Sequence, residues 1–383
     1  MKGGKLADRE EEIVLKFDRR LLFHFDWTLL GMVLGLCLIG LVNIYSTGFS
    51  TAETGADPLY LKQARWILLG LIGMTVAFSV DYRFVHRYAY WIYGIAVLAL
   101  VAVLVLGYES RGSQRWLSLW GFRLQPSEFM KLAVIVTLTK YFDDHRVSAP
   151  FGLRDLRVPL LLILVPFLLI LKQPDLGTAL IIAILFASMA ICVGVRWSAL
   201  LAAAASGLLL IPFMWYFLKD YQRERIMTFL SPERDPLGSG YHIIQSIIAV
   251  GSGGFWGKGF LKGSQTQLKF LPEQQTDFVF SVFAEEWGFL GGLVLIVLFL
   301  SLILWGLKIA LHSRDFPGMM ITYGFILLIF WEVFINIGMV LGILPVVGIP
   351  LPFLSYGGSS IVMLMTGVGL MMNVSMRRFI LQS

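Results

Sequence analysis

Long apolar runs recur along almost the whole chain, and they constrain its fold more than any other feature of the sequence. A helix needs about 17–25 apolar residues to cross the hydrocarbon core of a membrane, and many of these runs have that length. Hydrophobic residues make up 57% of the 383 positions and charged residues only 15%, which is too little charge to cover a soluble surface. The sequence therefore predicts an all-α polytopic membrane protein with about ten transmembrane helices.

The predicted spans form a single membrane domain with polar ends. They are expected at approximately 27–44, 66–80, 88–106, 126–141, 158–171, 178–193, 199–218, 278–311, 318–341 and 355–372. Residues 1–26 are predicted to be an N-terminal segment, residues 27–376 the membrane domain and residues 377–383 a short tail. The long connection 219–276, between the seventh and eighth spans, is rich in aromatic residues and glycine. This composition indicates a folded, extracytoplasmic loop rather than a linker.

Lysine and arginine are concentrated on one side of the predicted membrane, which sets its orientation. That side comprises the N-terminal segment and the loops and tail that contain Arg83, Arg87, Arg146, Arg154, Arg157, Arg196, Arg314, Arg377 and Arg378. Both termini are therefore expected on the cytoplasmic side of the membrane, with loops 109–125 and 219–276 outside. The formal net charge of +6 lies at helix ends and in loops, which favours contact with anionic membrane lipids and not with nucleic acid.

Several other kinds of site find no support in the sequence. Cys37 and Cys192 both fall inside apolar runs, and we interpret them as small core residues rather than a disulfide or metal pair. The five histidines are scattered and show no metal-ligand spacing. The sequence has no Walker loop, which argues against ATP hydrolysis, and no cleavable signal peptide is evident.

Asp277 stands directly before the eighth predicted span, at the end of the long loop, in the sequence Leu-Pro-Glu-Gln-Gln-Thr-Asp-Phe. A carboxylate in this position suits two roles. As a helix cap it would accept backbone N–H groups, which lowers its pKa and makes it a weaker base. As a general base it would need partial burial to raise its pKa. The two interpretations are compatible, and position alone leaves both open.

Further charged residues are expected on the same outer side. Glu128 and Lys131 lie three residues apart at the start of the fourth span, so they share a helix face and can pair. Charges within a span are also functional candidates. Arg115 and Arg123, in the preceding loop, would face that pair. Asp175 lies in a tight turn between the fifth and sixth spans, where it either caps the sixth span or takes part in an outward-facing site.

The long loop carries basic residues outside the predicted cytoplasm. They are Arg223, Arg225, Lys258, Lys262 and Lys269. Contact with lipid headgroups is one explanation, and binding of a polyanion is the other. Gly257-Lys258-Gly259 would allow backbone N–H groups and one ammonium to close on a phosphate. Residues 241–248 are predicted to form a short helix in the membrane interface or against the protein.

Polar residues also occur within the later spans. Glu285 and Glu286 in the eighth span, and Glu332 and Asn336 in the ninth, are predicted to be buried polar contacts between helices. Proline and glycine interrupt the segment 348–360 before the last span. Irregular backbone at membrane depth requires protein or a water-filled cavity to satisfy its hydrogen bonds.

Several motifs, in a fixed order, indicate a known family. They are Gln114-Arg115-Trp116-Leu117, Gln125-Pro126-Ser127-Glu128, Gln173-Pro174-Asp175-Leu176-Gly177-Thr178, Tyr241-His242-Ile243-Ile244-Gln245-Ser246, Leu271-Pro272-Glu273 with Thr276-Asp277-Phe278, and Gly342-Ile343-Leu344-Pro345 with Pro352 and Ser355-Tyr356-Gly357-Gly358. With these motifs the chain resembles the SEDS proteins of bacteria, the shape, elongation, division and sporulation family. The resemblance begins near Asp26, and it is greater to the elongation members than to the division members.

The resemblance implies a peptidoglycan glycosyltransferase that polymerises lipid II and works with a class B penicillin-binding protein. Asp277 then matches the essential aspartate of the family. Positions that matter for activity in the family match Arg123, Glu128, Lys131 and Asp175. The full set of expected substrate-binding residues is Arg115, Arg123, Glu128, Lys131, Asp175, Arg225, Gln245, Lys258 and Glu273. Lys269 departs from the family pattern, which often has glutamate there, and this leaves the charge balance around Asp277 open.

The expected mechanism is inverting glycosyl transfer at the outer membrane surface, with release of undecaprenyl diphosphate. Asp277 would accept a proton from the acceptor hydroxyl, and the diphosphate would be held by Arg115, Lys131, Arg225 and Lys258. The sequence leaves open whether Mg²⁺ or Mn²⁺ bridges Asp277 and the diphosphate. A lipid II flippase is the main alternative, although a flippase would gather its polar residues near the membrane midplane. A scaffold that only recruits the penicillin-binding protein is a third.

Overall fold

Helices make up most of the protein. The computed structural model describes residues 25–49, 58–110, 113–119, 122–145, 151–196, 198–199, 201–202, 205, 209, 220–231, 239–268, 270–271 and 273–378. The principal helices are, in chain order, α1 (Trp27–Phe49), α2 (Leu59–Ser79), α3 (Tyr82–Arg87), α4 (Ala89–Leu106), α5 (Pro126–Asp144), α6 (Arg157–Lys172), α7 (Leu176–Val193), α8 (Asp220–Leu230), α9 (Ser239–Ser252), α10 (Ser264–Gln267), α11 (Val279–Leu311), α12 (Phe316–Val340) and α13 (Gly358–Arg377).

Seven of the described helices are long and apolar enough to cross a membrane, namely α1, α2, α4, α7, α11, α12 and α13. Two other predicted spans correspond to helices that are shorter or more polar. α6 has 16 residues, and α5 contains Glu128 and Lys131 near its start. The seventh predicted span, 199–218, lies largely outside the described residues. The polytopic helical fold is therefore confirmed, and the count of about ten spans stays a prediction.

A small antiparallel sheet lies between α4 and α5 and was not predicted. Its strands β1 (Tyr108–Ser110), β2 (Ser113–Leu119) and β3 (Phe122–Leu124) pair in the order β1-β2-β3. Leu117 pairs with Leu124 and Ser118 with Arg123, which fixes the register of β2 and β3. Strands this short show no clear two-residue period beside long apolar helices, so hydrophobic patterning does not reveal them.

α13 is the central helix of the fold and is buried along most of its length. It packs closely against α2 because glycines face the contact. A Cβ at Gly70 would lie 2.8 Å from Met365 Cγ, and one at Gly369 would lie 2.4 Å from the Met74 carbonyl oxygen. Small residues that allow such an approach are typical of helix interfaces in membranes.

Gly288 interrupts α11, with φ 66° and ψ −164°. The carbonyl oxygens of residues 285–286 accept hydrogen bonds from the backbone N–H groups of Lys258 and Gly259, both at 3.0 Å. A Cβ on Gly288 would lie 2.2 Å from the backbone nitrogen of Gly257. Only glycine combines this left-handed φ with so close an approach. The segment after α9 is therefore docked onto the break in α11.

Polar side chains tie the helices together at the end that carries α3. Asn373 donates from Nδ2 to the carbonyl oxygens of Phe78 and Val80, at 2.6 and 2.7 Å. Arg83 forms an ion pair with Asp315 at 3.2 Å. These contacts join α2, α3, α12 and α13 at the end opposite to the C-terminus of α12.

Candidate active site

Asp277 lies in a tight turn, residues 273–278, that leads into α11. The carbonyl oxygen of Glu273 accepts hydrogen bonds from the N–H groups of residues 276, 277 and 278 at 3.1, 3.2 and 3.3 Å. Glu273 has a φ of 51°, which is uncommon for a residue other than glycine. The N-cap of α11 is Phe278, without a side-chain hydrogen bond. The structure therefore does not support the capping interpretation of Asp277.

The backbone of this turn is held from the side of α12 and α13. Three consecutive carbonyl oxygens, at residues 275–277, accept hydrogen bonds from the Tyr356 N–H at 2.8 Å, the Ser355 hydroxyl at 2.6 Å and the Asn336 side-chain amide at 3.0 Å, in that order. Every peptide unit around Asp277 thus has a partner on another element. The carboxylate is presented from a fixed backbone.

The environment of the Asp277 carboxylate suits a proton acceptor. The side chain is partly buried, and the loss of hydration raises the pKa of Asp277 to about 6. The charges of Arg225 and Arg115 and a hydrogen bond with Thr276 lower this pKa, whereas the charge of Asp175 raises it. A carboxyl group with such a pKa is mostly ionised at neutral pH and is more basic than an ordinary aspartate. The same interactions place two predicted arginines within electrostatic reach of Asp277.

Asp175 caps α7 and anchors the sheet. It accepts hydrogen bonds from the Thr178 N–H at 3.3 Å and the Thr178 hydroxyl at 3.0 Å, which confirms the capping alternative. Gln125 Nε2 also donates to it, at 3.1 Å. Arg115 lies 3.7 Å from the Asp175 carboxylate and donates from Nε to the Gln173 carbonyl oxygen at 3.1 Å. These contacts hold β2 against the turn between α6 and α7.

Lys131 lies in a buried triad of charges. Its Nζ is 2.9 Å from Glu128 Oε2 and 2.6 Å from Glu332 Oε1, so the predicted pair three residues apart is confirmed. The Lys131 and Glu332 side chains expose 2% and 1% of their surface. Glu332, predicted as a polar contact between helices, joins α12 to α5. Because its ammonium is buried and paired twice, Lys131 offers almost no open surface to a ligand, and Glu128 is similarly buried.

A cavity of about 430 Å³, with a lining of mixed polar and aromatic residues, opens beside the 273–278 turn. Its lining includes two arginines, three aromatic rings and one acid, which are Arg115, Arg123, Trp66, Trp116, Tyr356 and Glu273. Guanidinium groups match phosphate oxygens in geometry as well as in charge. Aromatic faces combine an apolar surface with a polar edge, which suits sugar rings. The cavity can therefore accept a ligand that carries both phosphate and sugar.

The Gly257-Lys258-Gly259 segment has a structural role. The N–H groups of Lys258 and Gly259 already donate to α11, so the prediction that they form a phosphate cradle is wrong. The Lys258 ammonium lies 2.7 Å from Glu285 Oε1 and 2.7 Å from the Ser264 hydroxyl. Glu285 is fully buried, and a buried carboxylate without a cation is costly. Lys258 therefore neutralises Glu285 in this structure.

The long loop contributes Arg225 and Gln245 from two helices. Arg225 lies on α8 and acts electrostatically on the Asp277 carboxylate. Gln245 is partly buried on α9, which confirms the short helix predicted in this part of the loop. The neighbouring Ser246 donates to the Val340 carbonyl oxygen at 2.7 Å, so α9 is fastened to the end of α12. Lys269 lies outside the described residues.

Comparison with known proteins places the chain in a family. The model of the FtsW, RodA and SpoVE cell cycle proteins matches residues 27–379. The chain belongs to this family, the SEDS proteins. Peptidoglycan glycosyltransferase MrdB of Escherichia coli (strain K12) is 43% identical to this SEDS protein over 93% of the chain and 94% of MrdB. Stage V sporulation protein E of Bacillus subtilis (strain 168) is 38% identical over 91% and 96% of the two chains.

Solved structures share the fold of this SEDS protein. One belongs to a study of the structural coordination of polymerization and crosslinking by a peptidoglycan synthase complex, with a TM-score of 0.78 and 34% identity. Another is the rod shape determining protein RodA of Thermus thermophilus, with a TM-score of 0.67 and 29% identity. Each covers 93% of this chain and 98% of the compared chain.

Part of the predicted site of this SEDS protein converges. The residues that lie around the 273–278 turn or line its cavity are Arg115, Arg123, Asp175, Arg225, Glu273 and Asp277. Trp66, Trp116 and Tyr356 were not predicted as site residues. Trp116 and Tyr356 stand within the family motifs, which was the available signal. Trp66 opens a predicted span, where an aromatic residue is ordinary at a membrane interface.

A metal site built from protein alone is not present in the described part of the chain. No group of three or more His, Cys, Asp or Glu side chains there is arranged to hold a metal ion. A divalent cation bridging Asp277 and a substrate diphosphate would take oxygen ligands from both. Binding of Mg²⁺ or Mn²⁺ between Asp277 and a substrate diphosphate therefore stays a prediction.

Proposed function

We propose that this protein is a peptidoglycan glycosyltransferase that polymerises lipid II during cell elongation. The observation that carries this proposal is Asp277, a partly buried carboxylate with a pKa of about 6, held beside a cavity lined by arginines and aromatic rings. The curated relatives named peptidoglycan glycosyltransferase support the same activity. Asp277 supplies the base, and the cavity supplies the charge that a diphosphate requires.

The reaction is an inverting displacement between two lipid II molecules. The 4-hydroxyl oxygen of the acceptor GlcNAc forms a bond with the anomeric carbon of the donor MurNAc. The bond from that carbon to the phosphate oxygen breaks, and undecaprenyl diphosphate leaves with the electron pair. Asp277 accepts the hydroxyl proton, a contribution typically worth about 10²–10⁴ in rate.

Arginines hold the leaving group in this mechanism. Arg115 and Arg123 line the cavity, and Arg225 approaches Asp277 from α8. They stabilise the diphosphate as its negative charge grows, and this kind of electrostatic stabilisation is often the largest catalytic contribution. Lys131 and Lys258, which neutralise buried glutamates, support the fold and take no part in binding the diphosphate.

An apolar groove next to the cavity fits a polyprenyl chain. The groove has a volume of about 740 Å³ and is lined by residues of α2, α5 and their neighbours, including Val76 and Phe129. It reaches Leu124 and Pro126, and the residue between them, Gln125, lines the polar cavity. A lipid tail in the groove would therefore continue directly into a headgroup in the cavity. Such positioning of a substrate can contribute roughly 7–11 kcal/mol in well-aligned cases.

The proposed partner is a class B penicillin-binding protein. A structural relative comes from a peptidoglycan synthase complex in which polymerization and crosslinking are coordinated. We assign the protein to the bacterial inner membrane, with both termini in the cytoplasm and Asp277 outside. The reason is that lysine and arginine are concentrated in the termini and in the loops on the side of the membrane away from Asp277. Lipid II carries its headgroup on that outer side when strands are made.

The function is tested with purified protein in proteoliposomes that contain fluorescent lipid II, with and without a class B penicillin-binding protein. We expect glycan strands on gels and release of undecaprenyl diphosphate. Movement of lipid II between leaflets without strand formation would instead favour the flippase. Binding of the penicillin-binding protein without either activity would favour the scaffold.

Strand formation by the wild-type protein should decline as the pH falls through about 6, the pKa of Asp277. Below that pH the carboxyl group is protonated and cannot accept the hydroxyl proton; above it the group is ionised and active. Initial rates at low lipid II concentration, which report the free enzyme, would reveal this acidic limb. A rate independent of pH across this region would contradict the assignment of the base.

A further inference from the structure

A buried amide on α12 binds the backbone at Asp277. Asn336 is 0% exposed, and its Nδ2 donates to the carbonyl oxygen of Asp277 at 3.0 Å and to that of Ile349 at 2.8 Å. Its Oδ1 has no hydrogen-bond partner within the described part of the chain. The hydrogen bonds of this side chain therefore come from its amide nitrogen, and both go to carbonyl oxygens outside regular secondary structure.

The two carbonyls belong to different segments of the chain. Residue 277 precedes α11, whereas Ile349 lies in the connection between α12 and α13. The residue before it, Gly348, faces the carboxylate: a Cβ added there would lie 3.4 Å from Asp277 Oδ2. By holding both backbones, Asn336 sets the spacing between the Asp277 side chain and the wall formed by Gly348.

Asn336 also stands one helical turn after Glu332, which pairs with Lys131 at 2.6 Å. Residues four apart share one face of a helix. The same face of α12 thus joins the buried charges of α5 and the backbone of the catalytic turn. Rigid support of this kind keeps a reactive group in position.

We propose that Asn336 is a positioning residue that holds the Asp277 carboxylate against Gly348, partly shielded from water. This role rests on the proposed function of Asp277 as the base. Without the amide, the 277 backbone is free to move away from the connection, and the carboxylate gains hydration. The catalytic group remains present but is misplaced, and a misplacement of about 1 Å can cost on the order of 10²-fold in rate.

The groups that titrate or carry charge near the carboxylate come from other elements. Those that act on it are Arg225 of α8, Arg115 of β2 and Asp175 before α7, while the neighbouring Thr276 forms a hydrogen bond with it. Replacing Asn336 by a neutral residue changes none of these charges. A shift in the pH dependence of catalysis would then report the hydration of the carboxylate itself.

The test is Asn336→Ala in the lipid II polymerisation assay. We expect kcat to fall on the order of 10²-fold with little change in KM. The midpoint of the acidic limb should move from about 6 towards the ordinary aspartate value of 3.8, because hydration favours the ionised form. A wild-type midpoint in an active, folded Asn336→Ala protein would overturn the positioning role.

Asn373→Ala is the matched control. Asn373 is also fully buried and donates from Nδ2 to two carbonyl oxygens, at 2.6 and 2.7 Å, but at the opposite end of the helices. Asn373 Oδ1 also accepts hydrogen bonds from the Tyr82 N–H and from Arg377 Nε. We therefore expect a loss of thermal stability at least as large, with an unchanged midpoint. A midpoint that shifts equally in both variants would overturn the proposal, since a general loosening of the fold would then explain it.

A second variant keeps the test decisive if Asn336→Ala does not fold. Asn336→Ser retains one donor, so we expect a smaller shift in the same direction, and an unchanged midpoint would overturn the proposal. Failure of the proposed function is recognised separately, with Asp277→Asn. If that variant keeps its activity, Asp277 is not the base; if it is inactive while Asn336→Ala and Asn336→Ser retain the wild-type midpoint, only the positioning role fails.

Discussion

Purified protein with Asp277→Asn is expected to form glycan strands at least about 10²-fold more slowly than the wild type, because the amide cannot accept the hydroxyl proton. Asparagine has nearly the same shape as aspartate and leaves the backbone contacts of the turn in place. The carbonyl oxygen of residue 277 would still accept its hydrogen bond from Asn336. The loss is therefore expected in kcat, measured as the rate of strand formation at saturating lipid II.

The control is another aspartate that lies far from the cavity. Asp144, at the end of α5, forms an ion pair with Lys140 at 2.7 Å and is well exposed. Asp144→Asn should polymerise lipid II at close to the wild-type rate. Both variants should keep the thermal unfolding temperature and penicillin-binding protein affinity of the wild type. Strand formation at the wild-type rate by Asp277→Asn would remove this carboxylate from the chemistry.

The local contacts that were predicted correctly depend on short-range rules. Glu128 and Lys131 share a helix face three residues apart, and Asp175 precedes a helix whose first N–H groups need an acceptor. In both cases the partner lies within a few residues along the chain. Hydrophobic length located the membrane helices for the same reason, because a span is a local property.

Long-range partners were not predictable from local patterns. Glu332 was expected to make a polar contact between helices, but its partner Lys131 is 201 residues away. Lys258 lies in a segment with the composition of a phosphate-binding turn. Its backbone N–H instead donates to the carbonyl oxygen of Glu285, just before the break in α11 at Gly288. Glycine serves tight anion sites and close backbone contacts equally well. The tertiary partner decides between them.

The cavity beside Asp277 was also not predictable from local patterns, because its lining residues are distant in sequence. Arg115 and Arg123 were candidates because of their charge, and the small sheet that presents them was not expected. The sheet places Trp116 in the lining of the same cavity as Tyr356, a residue 240 positions later in the chain. Convergence of this kind depends on helix packing, such as the close contact of α13 with α2, which a hydropathy pattern does not encode.

Lys131→Met is expected to be among the most destabilising single substitutions at the centre of the protein. It removes the cation from between Glu128 and Glu332, which are 2.9 and 2.6 Å from the ammonium. Breaking a buried ion pair by deleting one partner typically costs about 3–5 kcal/mol, because a charge is left buried and uncompensated. Thermal unfolding in detergent would measure the loss as a lower unfolding temperature.

Lys140→Met provides the comparison on the same helix. Lys140 pairs with Asp144 at 2.7 Å, near the surface. Exposed pairs contribute about 0–1 kcal/mol, since water screens them. The unfolding temperature of Lys140→Met should therefore stay close to that of the wild type. A comparable loss in both variants would mean that burial of the triad does not determine its energetics.

Adding Glu332→Met to Lys131→Met tests whether the charges act as a unit. The double variant removes one uncompensated carboxylate and replaces it with an apolar side chain in an apolar setting, so it should recover part of the lost stability. Contacting residues usually show coupling of about 0.5–3 kcal/mol. Additive losses would instead show that Glu332 and Lys131 stabilise the fold independently. Coupling would show that Glu332 holds α12 to α5 through Lys131. The same helix then connects α5 to the Asp277 turn, because it also carries Asn336.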